Sequence, residues 1–157
     1  MNFRITGLPV EPFTHYFGLT TESLAQLDII RRSVDKRPGF PCRVSLRDAE
    51  VGESVLLLNY EHLNVASPYR SQHAIYVREG AVEVRLEPDE VPEVLRVRLL
   101  SIRAFDEAGM MVGAEVAHGR ELEPVIANLL ANQQAAYLHV HNAKQGCFAA
   151  RVDRWPH

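Results

Sequence analysis

Two histidines and a cysteine stand close together in HVHNAKQGC, His139 to Cys147. On a β-strand, residues i and i+2 point to the same face, so His139 and His141 would project side by side. Leu138 and Val140, between and beside them, would face the other way. If Asn142 to Gly146 form a five-residue loop, His141 lies opposite Cys147 and His139 opposite Ala149. Tyr137, His139, His141 and Cys147 would then line one surface. A one-residue bulge would turn Cys147 to the other side.

Three chemistries suit that surface. Neutral imidazole and thiolate are zinc ligands, with His139 and His141 as two candidates and His73 or His62 as a third. No CxxC or HExxH supports the metal directly. Alternatively, Cys147 beside an imidazole could act as a nucleophilic thiolate. The third chemistry is binding of a small anionic molecule. Its support is NYEH followed by SPYRSQH, a polar and aromatic cluster ending one strand and starting the next. Tyr60, His62, Tyr69, Arg70 and His73 belong to it, with Arg43 joining from the polar face after Cys42. Guanidinium forks bind carboxylates and phosphates, and hydroxyls fix orientation. Against all three stands the plain alternative: partly buried histidines bonded to backbone or water, and Cys147 as a small core residue.

Composition narrows the classes. The chain has 157 residues, 46% hydrophobic and 24% charged, with a formal charge of -3. One globular domain over 1–157 follows from that length, and the acidic balance argues against nucleic acid. Its arginines are scattered from Arg4 to Arg154 rather than gathered in a patch. There is no apolar leader behind MNFRITGLPV and no run of 18 apolar residues, so neither export nor a membrane span is expected. Two cysteines, Cys42 and Cys147, are too few for a disulfide framework and fit a reduced cytoplasmic setting. Whether they meet in space stays open. Without a Walker loop, GxGxxG or GxSxG, nucleotide hydrolysis, dinucleotide redox chemistry and α/β-hydrolase activity have no support.

Periodicity sets the elements that must position these residues. Short strands are expected at Phe3–Thr6, Cys42–Leu46, Val55–Tyr60, His73–Arg78 and Val82–Leu86. In VLLL both faces are apolar, the mark of a strand covered on two sides, with Leu57 and Leu58 deep in the core. Val97–Phe105 and Met110–Val116 flank a DEAG turn, with a bulge expected between Leu99 and Leu100. A helix follows from the i, i+3, i+4, i+7, i+8 spacing of Leu122, Val125, Ile126, Leu129 and Leu130, and another is capped by Thr20 or Thr21. Ala136–His141 and Cys147–Val152 close the sheet as a hairpin. The fold class is therefore α+β, a mostly antiparallel or mixed sheet of about six to eight strands with about two helices. His15, His118 and His157 read as surface residues.

FRITGLP, PCRVSLRDAEVGESVLLLNYEH, SPYRSQHAIYVREG, SIRAFDEAGMMV and HVHNAKQGCFAARV, taken in order, resemble a bacterial family known only as domain of unknown function 1203. The resemblance spans nearly the whole chain and implies a stand-alone cytosolic protein. It brings no activity and no catalytic residues. The expected function is binding of a small anionic molecule in a His/Arg/Tyr cleft built from Arg43, Tyr60, His62, Tyr69, Arg70, His73, His139 and His141. One alternative is an enzyme using the same cleft through Cys147 or a histidine-bound divalent metal such as zinc. Another is an interaction module whose sheet edge pairs with a second copy as a homodimer.

Overall fold

A computed structural model describes residues 2–156. His157 lies outside them, while His15 and His118 are exposed. Instead of one sheet of six to eight strands there are two sheets of five strands each. In the first, β1 (Asn2–Thr6), β10 (Phe148–Trp155), β9 (Tyr137–Asn142), β7 (Leu99–Phe105) and β8 (Met111–His118) lie side by side in that order, all antiparallel. In the second the order is β2 (Ile30–Ser33), β5 (Ser54–Leu63), β6 (Ser71–Arg78), β3 (Pro41–Cys42) and β4 (Arg47–Asp48), with β3 and β6 the parallel pair. The helices are short. α1 (Thr21–Gln26) and α2 (Glu93–Arg96) span one turn or little more, and only α3 (Leu122–Ala131) exceeds seven residues. No helix among the described residues is long and apolar enough to cross a membrane.

The α3 stripe works as its spacing requires. Leu122, Ile126, Leu129 and Leu130 are buried against Leu100, Ile102, Ala104, Leu138 and Val140 of the first sheet. Each such side chain contributes about 1.5–3 kcal/mol by leaving water. Val125, expected in that stripe, is only partly buried because it lies at the stripe's edge. α1 begins as its sequence predicts, with the Thr20 hydroxyl accepting from Ser23 N.

Four local expectations fail, each for a visible reason. Val82–Leu86 is no strand: Val82 is 72% exposed and Leu86 buried, so its alternation fits no sheet face. After Cys42 the chain turns, with Leu46 N donating to Cys42 O and Leu46 at φ 52°, so Arg43 and Val44 are both buried instead of alternating. In β5, Val55, Leu56 and Leu58 are buried but Leu57 less so, on a face where its cross-strand neighbour Ile30 of β2 is itself exposed. The bulge of β7 falls at Ala104/Phe105, where Phe105 pairs with Met111, not at Leu99/Leu100.

The terminal hairpin forms, and its register differs from the expected one. Asn142 N donates to Cys147 O and Gly146 N to Asn142 O, closing the turn, with Gly146 in the left-handed region that glycine favours. β10 then carries an irregularity between Phe148 and Ala150. The turn thus sets His141 against Phe148, and the irregularity beyond it sets His139 against Arg151. Cys147 does not oppose His141.

Contacts join the two sheets at several points. Phe148 of the first sheet sits in the core of the second, among Val44, Leu56, Leu58 and Ile75. Arg98 grips Asp48 with two hydrogen bonds of 2.9 and 2.7 Å, and both side chains are largely buried. Gly109, at φ 79°, meets Val65 so closely that an added Cβ would lie 2.5 Å from a Val65 methyl. Ser67 Oγ donates to Gly109 O there, at 2.8 Å. This pins the loop after β5 onto the first sheet.

Candidate functional site

β9 is buried along its whole length, and its two faces differ completely. Leu138 and Val140 enter the core under α3, whereas Tyr137, His139 and His141 share the opposite face. Pairing brings Ser101 and Arg103 of β7 beside His141 and His139 on that face, with Phe105 beside Tyr137. From the second sheet, His62 arrives at the irregularity of β5 between Tyr60 and Leu63. Its ring lies 4.9 Å from His141 and 6.1 Å from His139, centroid to centroid. It also stacks on Phe148 at 5.5 Å with 13° between the planes. Three imidazoles from two sheets thus meet within a wall of Phe105, Tyr137 and Phe148.

Burial sets their charge. His139 is pushed down to about 3 by desolvation, reinforced by His141, His62 and the cations Arg151 and Arg103. His141 also falls to about 3, again chiefly by burial, although its bond to Gly146 O works the other way. His62 falls to about 4, through burial and then Arg103 and His73. All three rings are therefore neutral at pH 7. A carbonyl oxygen only accepts, so the 3.0 Å contact with Gly146 O fixes the proton of His141 on Nδ1 and leaves the lone pair on Nε2. In His139, Nδ1 is buried without a hydrogen-bond partner among the described residues.

Arg103 was not among the residues singled out from sequence, although it faces this cluster. It is partly buried, and its pKa is lowered by desolvation. Among the described residues its side chain makes one hydrogen bond, a long one from Nε to Ser101 Oγ at 3.3 Å, and no ion pair. Neighbouring arginines differ. Arg151 is held by Asp153 and lies 4.2 Å above the Tyr137 ring. Arg70 is held by Glu61. The sequence signal for Arg103 was its phase: Ser101, Arg103 and Phe105 alternate with Ile102 and Ala104 as the histidines alternate with Leu138 and Val140.

The remaining expected residues divide. His73 reaches the cluster electrostatically, acting on both His62 and His141. Tyr69 touches its outer edge, 6.2 Å from Phe105. Arg70 stays outside, exposed, over an open cavity of about 420 Å³ shared with Glu61, Ser71 and Gln72. Tyr60 packs on Phe13 in the core of the second sheet, where burial raises its phenol pKa. A wider cavity, about 670 Å³ and lined in part by Asp106, Gln134 and Arg154, lies elsewhere.

Arg43 and Cys147 form a separate buried node. The guanidinium donates to Phe148 O at 2.8 Å, Pro41 O at 2.6 Å and Cys147 Sγ at 2.9 Å, which leaves it no freedom to serve a ligand on the histidine face. Cys147 also accepts from Asn142 Nδ2 at 3.5 Å, and no imidazole bonds to it among the described residues. Cys42 and Cys147 are both free thiols. Among the described residues no group of three or more His, Cys, Asp or Glu is placed to hold a metal ion.

No curated protein and no solved structure was found to match this chain. A family model described as "Protein of unknown function (DUF1203)" matches residues 39–154, which include the histidine cluster, Arg103 and the Arg43–Cys147 node. The match covers well over half of the chain, and the chain belongs to that family.

Proposed function

We propose that this protein binds a small oxyanion on the histidine face, with Arg103 as the anchor. The observation that carries the reading is a partly buried guanidinium among neutral imidazoles, with no carboxylate to offset it among the described residues. Desolvating a cation without a counter-charge costs free energy, which an incoming anion would return as a charge-assisted, bidentate contact. Access is favoured from the β8 side. Ala114 and Val116, which pair with Arg103 and Ser101, are both exposed and offer no charge. His62, His139 and His141, neutral while the site is free, then supply orientation and a dry wall. Cysteine–histidine catalysis has less support, because Cys147 is engaged by Arg43 and Asn142.

The test is an NMR titration of the imidazole signals with inorganic phosphate. Saturable shifts at His62, His139 and His141 are expected, and they should vanish in Arg103→Ala at a melting temperature no lower than that of the unaltered protein. Shifts that persist undiminished in Arg103→Ala, or none at millimolar phosphate, would overturn the reading.

A further inference from the structure

We propose, resting on the reading above, that the ligand is a tetrahedral oxyanion and that it enters with one proton, held between a ligand oxygen and Nε2 of His141. The first part follows from the number and direction of the available groups. A carboxylate has two oxygens, and one guanidinium fork satisfies both. Here the polar groups come from several strands: Arg103 and Ser101 from β7, His139 and His141 from β9, His62 from β5. A phosphate- or sulfate-type group has further oxygens to offer the rings after two have met Arg103.

The proton follows from the acceptor on His141. Its Nδ1 proton is committed to Gly146 O, so Nε2 can only receive a hydrogen bond until it is protonated. A bare oxyanion has nothing to donate, and two lone pairs would face one another. One added proton turns that repulsion into a charge-assisted bond. The surroundings keep this proton off while the site is free. Burial is the main cause at His141, with Arg103, His62 and His73 adding repulsion, and Arg151 adds to the burial of His139. The nearby carboxylates are committed: Glu61 to Arg70 and Asp153 to Arg151. An anion on Arg103 cancels the opposing field and adds an attractive one, so anion and proton favour each other's binding. His139, whose ring lies 6.4 Å from that of His141, is only 3% exposed, and its Nδ1 is a further polar atom without a partner among the described residues.

Sulfate is the deciding probe, because it carries no proton of its own near neutrality. Calorimetric titrations of the full chain with sulfate at about pH 8, 7 and 6 should show affinity rising with acidification, by up to roughly tenfold per unit. Heats compared between two buffers of different ionisation enthalpy should report uptake of about one proton per sulfate. Acetate should bind more weakly at each pH. His141→Asn, which keeps a donor for the Gly146 carbonyl and lowers the basicity at the ligand side, should bind sulfate without this pH dependence. The wild-type slope decides the matter even if that variant does not fold. Sulfate affinity independent of pH would overturn the proton, and acetate binding as tightly as sulfate would overturn the tetrahedral ligand, with the oxyanion reading intact in both cases. No binding of sulfate or phosphate at any of these pH values would overturn both together.

Discussion

Acidification should destabilise this protein well above the pH at which carboxylates titrate. His139 and His141 are 3% and 1% exposed and are held near 3, against an ordinary value of 6.5. In the unfolded chain each ring takes a proton as pH falls below about 6.5, while in the native protein it stays neutral. The unfolded state therefore binds more protons, and stability present above 6.5 is lost as pH falls toward 3. Both native values lie well below 5, so the loss between about pH 7.5 and 5 is fixed by the unfolded value alone. It comes to about 2 kcal/mol per ring and about 4 kcal/mol for the pair. His62, held near 4, adds in the same direction. Glu79, lowered to about 2 chiefly by its bond to Arg31, gives a contribution lost only below about pH 4.5, outside this window. Urea melts across the window measure the loss, provided the m-value stays constant. Stability that is flat or rises on acidification would mean the rings are already charged in the native fold, and the reasoning fails.

Sulfate sharpens the same experiment. As a kosmotrope it raises stability at every pH by being excluded from the surface. A site that takes up one proton with the anion does something else: it raises the number of protons bound by the native state. In saturating sulfate the slope of stability against pH should fall by about one proton, while Arg103→Ala should show only the uniform rise. Parallel curves with and without sulfate would count against proton-coupled binding.

Three further outcomes test the frame around the site. Ile126→Ala, fully buried under the first sheet, should cost about 2–5 kcal/mol in urea melts, and a loss under about 1 kcal/mol would put α3 in the wrong place. Asp48→Ala should cost about 3 kcal/mol because it leaves Arg98 largely buried without its carboxylate, with an unchanged melting temperature refuting the bridge between the sheets. Phe148→Ala should cost about 3–5 kcal/mol and shift the His62 NMR signals, since that ring stacks on Phe148. Unmoved His62 signals would refute the stacking.

Residues governed by local pattern were legible. The alternation of Tyr137, His139 and His141 against Leu138 and Val140 gave their common face, and the α3 stripe gave its buried side. Both rest on periods of one element, 2.0 and 3.6 residues. Illegible were features that depend on a second segment. Val82–Leu86 alternates as a strand should, yet no neighbouring strand pairs with it. Arg43 carries the signature of a ligand-binding cation, yet the turn after Cys42 buries it onto carbonyl oxygens. No local signal could place His62 against His139 and His141 from the other sheet.

One register step separates two different chemistries. Had Cys147 faced His141 across the hairpin, the cluster would have offered a thiol beside a base. The pairing of Phe148 with His141 puts an aromatic ring there instead and sends the thiol toward Arg43. That ring dries the imidazoles, and drying is what keeps them neutral. A neutral imidazole with one nitrogen committed to a carbonyl is a hydrogen-bond acceptor awaiting a proton. Beside an unpaired guanidinium, such a group makes anion and proton more stable together than either alone, which is the physical content of the proposed site.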